Sequence, residues 1–238
     1  MPRPDPSRTG VPRAYPGGMT ASGDGWAIGV DGTRRWGTAG AAGLFLHTRD
    51  GDGDLVVLMQ LRATWTNQGG TWAMPGGARD LDESAEEAAL RETHEETGID
   101  PADVTLEGTL VTARMPLDHV LRREPMSSRE AAEVRQGLSA AALDTPGPTG
   151  VVHPGHGGSA VMGLDGNLWW EVPHRDVPDW TYTTVIASCD HPLDLAPTDE
   201  SADLAWWPLD RVAELDLMPA FADSLPMVAE LLRGPLDR

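Results

Sequence analysis

Residues 77–99, reading GARDLDESAEEAALRETHEETGI, constrain this chain more than any other stretch. They predict a loop that turns into a short acidic helix. Ser84 can cap its start, because a serine hydroxyl accepts a hydrogen bond from an orphan backbone N–H, and Glu87 three residues on completes a capping box. Ala85, Ala88, Ala89, Leu90 and Arg91 are good helix formers, and Gly98 suits the left-handed residue that closes a helix. Glu92, Glu95 and Glu96 then stand at i, i+3 and i+4, so three carboxylates crowd one face. Like charges at that spacing cost stability, which a divalent cation would offset. Carboxylate oxygens are the ligands that a hard ion such as Mg²⁺ takes. Three glutamates by themselves are more often a solvated helix face.

The wider spacing decides between those readings. Gly77, Glu83 after five residues, Arg91-Glu92 after seven more, Glu95-Glu96, Gly98 and Ile99 keep one register. This pattern resembles the signature of the Nudix hydrolases. Thr93 departs from it, standing where that family usually has an aliphatic residue packed on the core. The approach to the stretch, Trp72-Ala-Met74-Pro-Gly76-Gly77, is also similar to the family's.

The resemblance implies a fold, an activity and a site. The fold is an α/β/α sandwich around a curved mixed sheet. The activity is Mg²⁺- or Mn²⁺-dependent hydrolysis of a nucleoside diphosphate linked to another group, in which the metal neutralises phosphate charge and activates water. The implied metal ligands are Glu92, Glu96 and the carbonyl of Gly76. Glu95 either shares the metal or orients the water. Arg91 acts by holding the glutamates through charge-assisted hydrogen bonds, and Glu83 fixes the loop onto the helix. Glu200, six residues before Trp206, falls where the family often adds a further ligand or base. The catalytic set is therefore Glu92, Glu95, Arg91 and Glu200, and which glutamate is the base stays open. Arg62, Trp65, Trp72 and Gly77 complete the expected site as substrate-binding residues. The substrates implied are nucleoside triphosphates such as 8-oxo-dGTP, ADP-sugars, or dinucleoside polyphosphates. Pro116, downstream of the signature, is a weak pointer to the sugar-nucleotide branch.

Composition narrows the partners. The formal net charge is −19, and all 18 basic residues are arginine. Such a surface does not suit nucleic acid or an anionic membrane. A phosphate substrate needs local positive charge, which a bound metal would provide. Cys189 is the single cysteine, so an intrachain disulfide is excluded. No run is long and apolar enough to span a membrane, and the N-terminus lacks a signal-peptide core. These features predict a soluble cytoplasmic protein.

Taken in order, residues 1–24 are Pro- and Gly-rich and predict a flexible arm, followed by the Nudix domain over 25–238. Residues 25–37 read as a hairpin turning at Asp31-Gly32. Residues 39–48, 55–62, 103–113 and 179–189 read as strands, with a hairpin turn at 50–54. Residues 210–215 and 221–232 read as short helices. Between the third and fourth of those strands lies an insert, residues 114–178. It reads as a helix over 122–142, a Pro/Gly-rich loop over 144–158 and a hairpin over 160–172. His153 and His156 in that loop are more often solvated than metal-bound. Trp169 and Trp170 alternate across a strand, so one faces outward, either packed on the domain or serving as a lid or homodimer contact. Two other function classes fit the sequence less well. A nucleotide-binding regulator would usually have lost signature glutamates, and all four are present. An isoprenyl diphosphate isomerase needs a cysteine before the signature, and Cys189 lies far after it.

Overall fold

The computed structural model describes residues 22–143, 145–155, 157–163 and 165–233. His156 and all but the last three residues of the 1–24 arm lie outside them. The chain runs β1 (Gly25–Gly29), β2 (Arg34–Trp36), β3 (Ala41–Arg49), β4 (Leu55–Arg62), β5 (Trp72–Ala73), β6 (Gly76–Ala78) and α1 (Ala85–Thr97). It continues with β7 (Thr105–Met115), β8 (Leu117–Pro125), α2 (Ser128–Gln136), α3 (Ala140–Leu143), β9 (Gly147–Val152), β10 (Ser159–Met162) and β11 (Leu168–His174). It ends with β12 (Trp180–Ser188), β13 (Ser201–Pro208), a 3₁₀ turn over Leu209–Glu214 and α4 (Pro219–Arg233).

The first of two sheets has the order β13-β4-β3-β12-β7, with β5 on β4 and β6 on β3. It is mixed, because β3 and β12 run parallel while the other pairs are antiparallel. Side chains of β3 alternate between its faces, as the pleat requires. Leu44 and Leu46 pack with Ala88 and Ala89 of α1. Phe45 packs with Phe221, Leu225 and Val228 of α4 on the opposite side. The sheet therefore lies between helices, an α/β/α sandwich. Thr93, in the slot expected to be aliphatic, is 1 % exposed, and its hydroxyl donates to the Ala89 carbonyl at 2.7 Å. A threonine is tolerated there because the helix itself satisfies its one polar group.

The second sheet has the order β2-β1-β8-β11-β10-β9 and is antiparallel throughout. It joins the N-terminal hairpin to the insert, a pairing that the sequence did not signal. Helix α2 covers it, Val134 packing with Ala160, Met162, Leu168, Trp170 and Val172. The chain crosses between sheets at Pro116, where β7 ends and β8 begins. Ala27 and Val120 of the second sheet pack there on Ala41, Met115 and Trp180 of the first.

Two expectations for the insert need correction. Residues 122–125 belong to strand β8, and the helix starts only at Ser128, because the Ser127–Glu130 capping box sets its beginning. Residues 147–152, expected as loop, form β9 with alternating burial. Pro148 is tolerated because β9 is an edge strand and need not donate on both sides. The hairpin turning at residues 165–167 forms as β10–β11. Its Trp170 is 5 % exposed inside this sheet's core, with the His153 ring 5.0 Å away.

Candidate active site

The loop-to-helix stretch builds the site from local rules. Ser84 caps α1 by accepting from Glu87 N–H, Glu87 caps in return, and Gly98 closes the helix at φ 76°. This fixes which turn carries Glu92, Glu95 and Glu96. Arg91 ties that turn to the loop before it. Its Nε and Nη2 donate to the two oxygens of Glu83, both at 2.8 Å, and Nη2 reaches the Ala78 carbonyl at 3.0 Å. Its Nη1 donates to Glu92 at 2.8 Å and to Glu95 at 3.3 Å. Such forked, charge-assisted bonds set both position and angle. Its hydrogen bonds to the carboxylates of Glu83 and Glu92 hold the guanidinium proton more firmly than usual, against the effect of burial. Burial alone would raise Glu83, but Arg91 and the Asp80 backbone hold its carboxylate below the usual range.

The glutamates facing the cleft shift the other way. Burial raises Glu92 despite Arg91, and Glu95 and Glu200 add like-charge repulsion. Burial pushes Glu96 up to about 7, although Gln60 and the Gly76 N–H favour its charged form. The Gly76 N–H donates to Glu96 Oε2 at 2.9 Å. Behind it, fully buried Gln60 donates to Ser201 Oγ at 2.9 Å, and Ser201 donates to the Glu96 carbonyl at 3.2 Å. Gly77 is glycine for space, since a Cβ there would lie 2.5 Å from the Glu92 carboxylate.

These groups open onto a cleft of about 370 Å³ whose wall includes Gly76, Gly77, Arg91, Glu92, Glu96 and Glu200. Arg62 shares the wall, its Nε donating to the Asn67 carbonyl at 3.1 Å. Glu200 is brought beside it by its own carbonyl, which accepts from Ala63 N–H at 2.9 Å. The cleft gathers seven of the residues named from the sequence and leaves three outside its wall. Glu95 projects from α1 and meets only Arg91 among the described residues. Trp65 is 57 % exposed on the loop after β4. Trp72 is half-buried and packs against the core, its ring 6.4 Å from that of Trp207. Pro116, at the crossover between sheets, is not on the wall either. Ser22, Asp24 and Trp36 also line the cleft, and sequence reasoning missed them. Ser22 and Asp24 fall at the end of the segment expected to be a flexible arm, where Gly23 is tied down: its N–H donates to Asp80 at 2.9 Å and its carbonyl accepts Thr38 N–H at 2.7 Å.

The donor set fits a hard divalent cation. Two carboxylates with raised proton affinity, Glu96 buried and Glu92 half-buried, face one cleft, and a cation there would favour their charged forms. Among the described residues no three His, Cys, Asp or Glu side chains already stand gathered around a common point. Arg91 holds one oxygen of Glu92, and the Gly76 N–H holds one of Glu96. Glu92 keeps its second oxygen for a ligand, whereas the Glu96 carboxylate also meets the Gln60 side chain.

Comparison with known proteins identifies the family. Residues 37–128 match the family model described as the NUDIX domain. A Mycobacterium tuberculosis protein named "Putative 8-oxo-dGTP diphosphatase 3" is 34 % identical over 213 residues, covering 90 % of this chain and 72 % of that one. The crystal structure of RenU, a Nudix hydrolase from M. smegmatis, superposes with a TM-score of 0.62 at 34 % identity, covering 89 % of this chain and 96 % of that one. This chain belongs to the Nudix hydrolase family and is an enzyme of its pyrophosphohydrolase type. A shorter match, 47 % identical over 89 residues, falls within a nucleoside triphosphate pyrophosphatase/Nudix hydrolase fusion protein of Bifidobacterium longum. Among the described residues, no helix is long and apolar enough to cross a membrane.

Proposed function

We propose that this chain hydrolyses the pyrophosphate linkage of nucleoside triphosphates, with Mg²⁺ or Mn²⁺ bound by Glu92, Glu96 and the Gly76 carbonyl. The observation that carries the reading is the Glu92–Glu96 pair, one half-buried and one buried, opening onto a cleft that also holds Arg62. When bound, the metal supplies Lewis-acid stabilisation of the charge that develops on phosphorus oxygens. Arg62 pairs with a terminal phosphate. Arg91 keeps Glu92 turned into the cleft. Glu200, on the rim, takes the proton from the attacking water. The water oxygen bonds to phosphorus, the bridging P–O bond breaks, and the proton leaves with the phosphate products. Glu95 supports this through Arg91. The M. tuberculosis relative's name makes 8-oxo-dGTP the first substrate to try.

A panel of dGTP, 8-oxo-dGTP, ADP-ribose and dinucleoside polyphosphates, with Mg²⁺, with Mn²⁺ and with chelator, tests this. Metal-dependent turnover of the triphosphates is expected. Nucleotide binding without turnover under any metal would replace the enzyme reading with that of a binding domain.

A further inference from the structure

The phosphate end of the cleft is built from α1 and its loop, but part of the wall comes from the N-terminal hairpin. Ser22, Asp24 and Trp36 line the same cavity as Glu92 and Glu96. Trp36 is the only aromatic side chain on that wall among the described residues. Everything else there is glycine, alanine or polar, which suits phosphate and offers nothing flat and apolar to a base.

The Trp36 ring is fixed before any ligand arrives. The Arg123 guanidinium lies 4.9 Å from the ring centroid. Trp26, directly opposite in the β1–β2 ladder, meets it at 5.0 Å and 80°. The Trp36 carbonyl accepts the Trp180 indole N–H at 3.3 Å, which ties it to the first sheet. A pre-positioned indole beside a phosphate site is a surface on which a base can stack at little ordering cost.

Asp24 supplies a polar reader beside that ring. Its backbone N–H donates to Ser22 Oγ at 3.1 Å, while its carboxylate has no partner among the described residues. The other aspartate on this wall, Asp80, is already used by Gly23 N–H. An ionised carboxylate only accepts hydrogen bonds. It therefore selects a base edge with adjacent N–H donors, as the ring N–H and amino group of guanine present.

Resting on the nucleotide-hydrolase reading above, we propose that Trp36 and Asp24 form the nucleobase subsite, Trp36 by stacking and Asp24 by choosing a guanine-type base. The insert has a part in this recognition through β8, which pairs with β1 and carries Arg123 onto the Trp36 ring.

The test measures steady-state kinetics of wild type, Trp36→Ala, Trp36→Phe and Asp24→Asn on dGTP and dATP, with inorganic tripolyphosphate as a competitor that has no base. Trp36→Ala should raise KM for dGTP roughly tenfold or more, with a smaller change in kcat. The Ki of tripolyphosphate should stay put, and Trp36→Phe should restore most of the affinity. Asp24→Asn should narrow the dGTP-over-dATP preference in kcat/KM. A wild-type KM in Trp36→Ala overturns the subsite while leaving the function standing. So does a tripolyphosphate Ki that rises in step with KM, because the damage would then not be to base binding. A wild type that turns over no nucleotide overturns the function reading, and the subsite with it.

Discussion

The two contributions to the cleft wall are assembled in opposite ways. The catalytic part is local: the ion pairs and hydrogen bonds that place Glu92 and Glu96 run mostly between residues 76 and 96. The Trp36 part is non-local, since its ring depends on Trp26, on Arg123 in the insert and on Trp180 in the first sheet. The chemistry can therefore travel as one short segment. The surface that meets the rest of the substrate depends on how the appended sheet is built.

Removing the appended sheet should have the largest effect. Replacing residues 114–178 by a short turn strips β1 of its partner β8 and uncovers Ala41 and Trp180. The sequence alone suggests a detachable lid or subunit contact. The packing predicts instead that the shortened chain loses cooperative melting and aggregates, which circular dichroism and gel filtration would show. A shortened chain that stays folded and keeps the wild-type KM would mean that the two sheets are independent.

Trp170→Ala sharpens the comparison within the second sheet. It empties a buried core site and should cost about 3–5 kcal/mol in urea unfolding. At temperatures where the variant remains folded, kcat should change little, because Trp170 is not on the cleft wall. A large fall in kcat for the folded variant would tie that core to the chemistry.

Glu96 provides a pH signature for the local part. Its carboxyl stands at about 7 when folded against a reference of 4.5, so folded, metal-free protein binds this proton more tightly than the unfolded chain. The stability this adds is complete below about pH 4.5 and is lost as pH rises through about 7. In chelator, the stability of wild type relative to Glu96→Gln should fall by on the order of 3 kcal/mol across that window. Glu83, whose carboxylate is held low, slopes the other way in both proteins and cancels. A flat difference would show that Glu96 is not held in a desolvating site.

Arg91→Met tests the joint itself and should cost about 10–100-fold in kcat/KM, the usual effect of removing a group that orients metal ligands. KM for the nucleotide should move less than kcat. A wild-type kcat would mean that Glu92 and Glu96 hold their positions without it.

How much was legible follows the same division. Ser84, Glu87, Arg91 and Gly98 act on neighbours within a few residues, so spacing sufficed to place α1 and its glutamates. Strands β3, β4 and β12 were legible because Leu44–Phe45–Leu46, Val56–Val57–Leu58 and Val185–Ile186 are runs buried on both faces. Strand β8 was not, since Leu117-Asp-His-Val-Leu-Arg-Arg carries charge and abuts a strong helix cap at Ser127. Its identity as a strand depends on β1, nearly a hundred residues earlier in the chain. Trp36 gave no signal for the same reason: in the sequence it is one end of a hairpin, and only the pairing of that hairpin with the insert brings it to the cleft. Trp65 and Trp72 were nearer the signature in sequence, but the fold turns Trp72 against the core and leaves Trp65 off the wall.

The most direct test of the central claim is to titrate Mg²⁺ or Mn²⁺ into wild type, Glu92→Gln and Glu96→Gln by calorimetry while following triphosphate hydrolysis and thermal melting on the same samples. The account predicts that both variants melt as folded proteins, bind the metal far more weakly and lose at least about 100-fold in turnover, as removal of a metal ligand at a phosphoryl site entails. Wild-type metal affinity and turnover in both variants would contradict it.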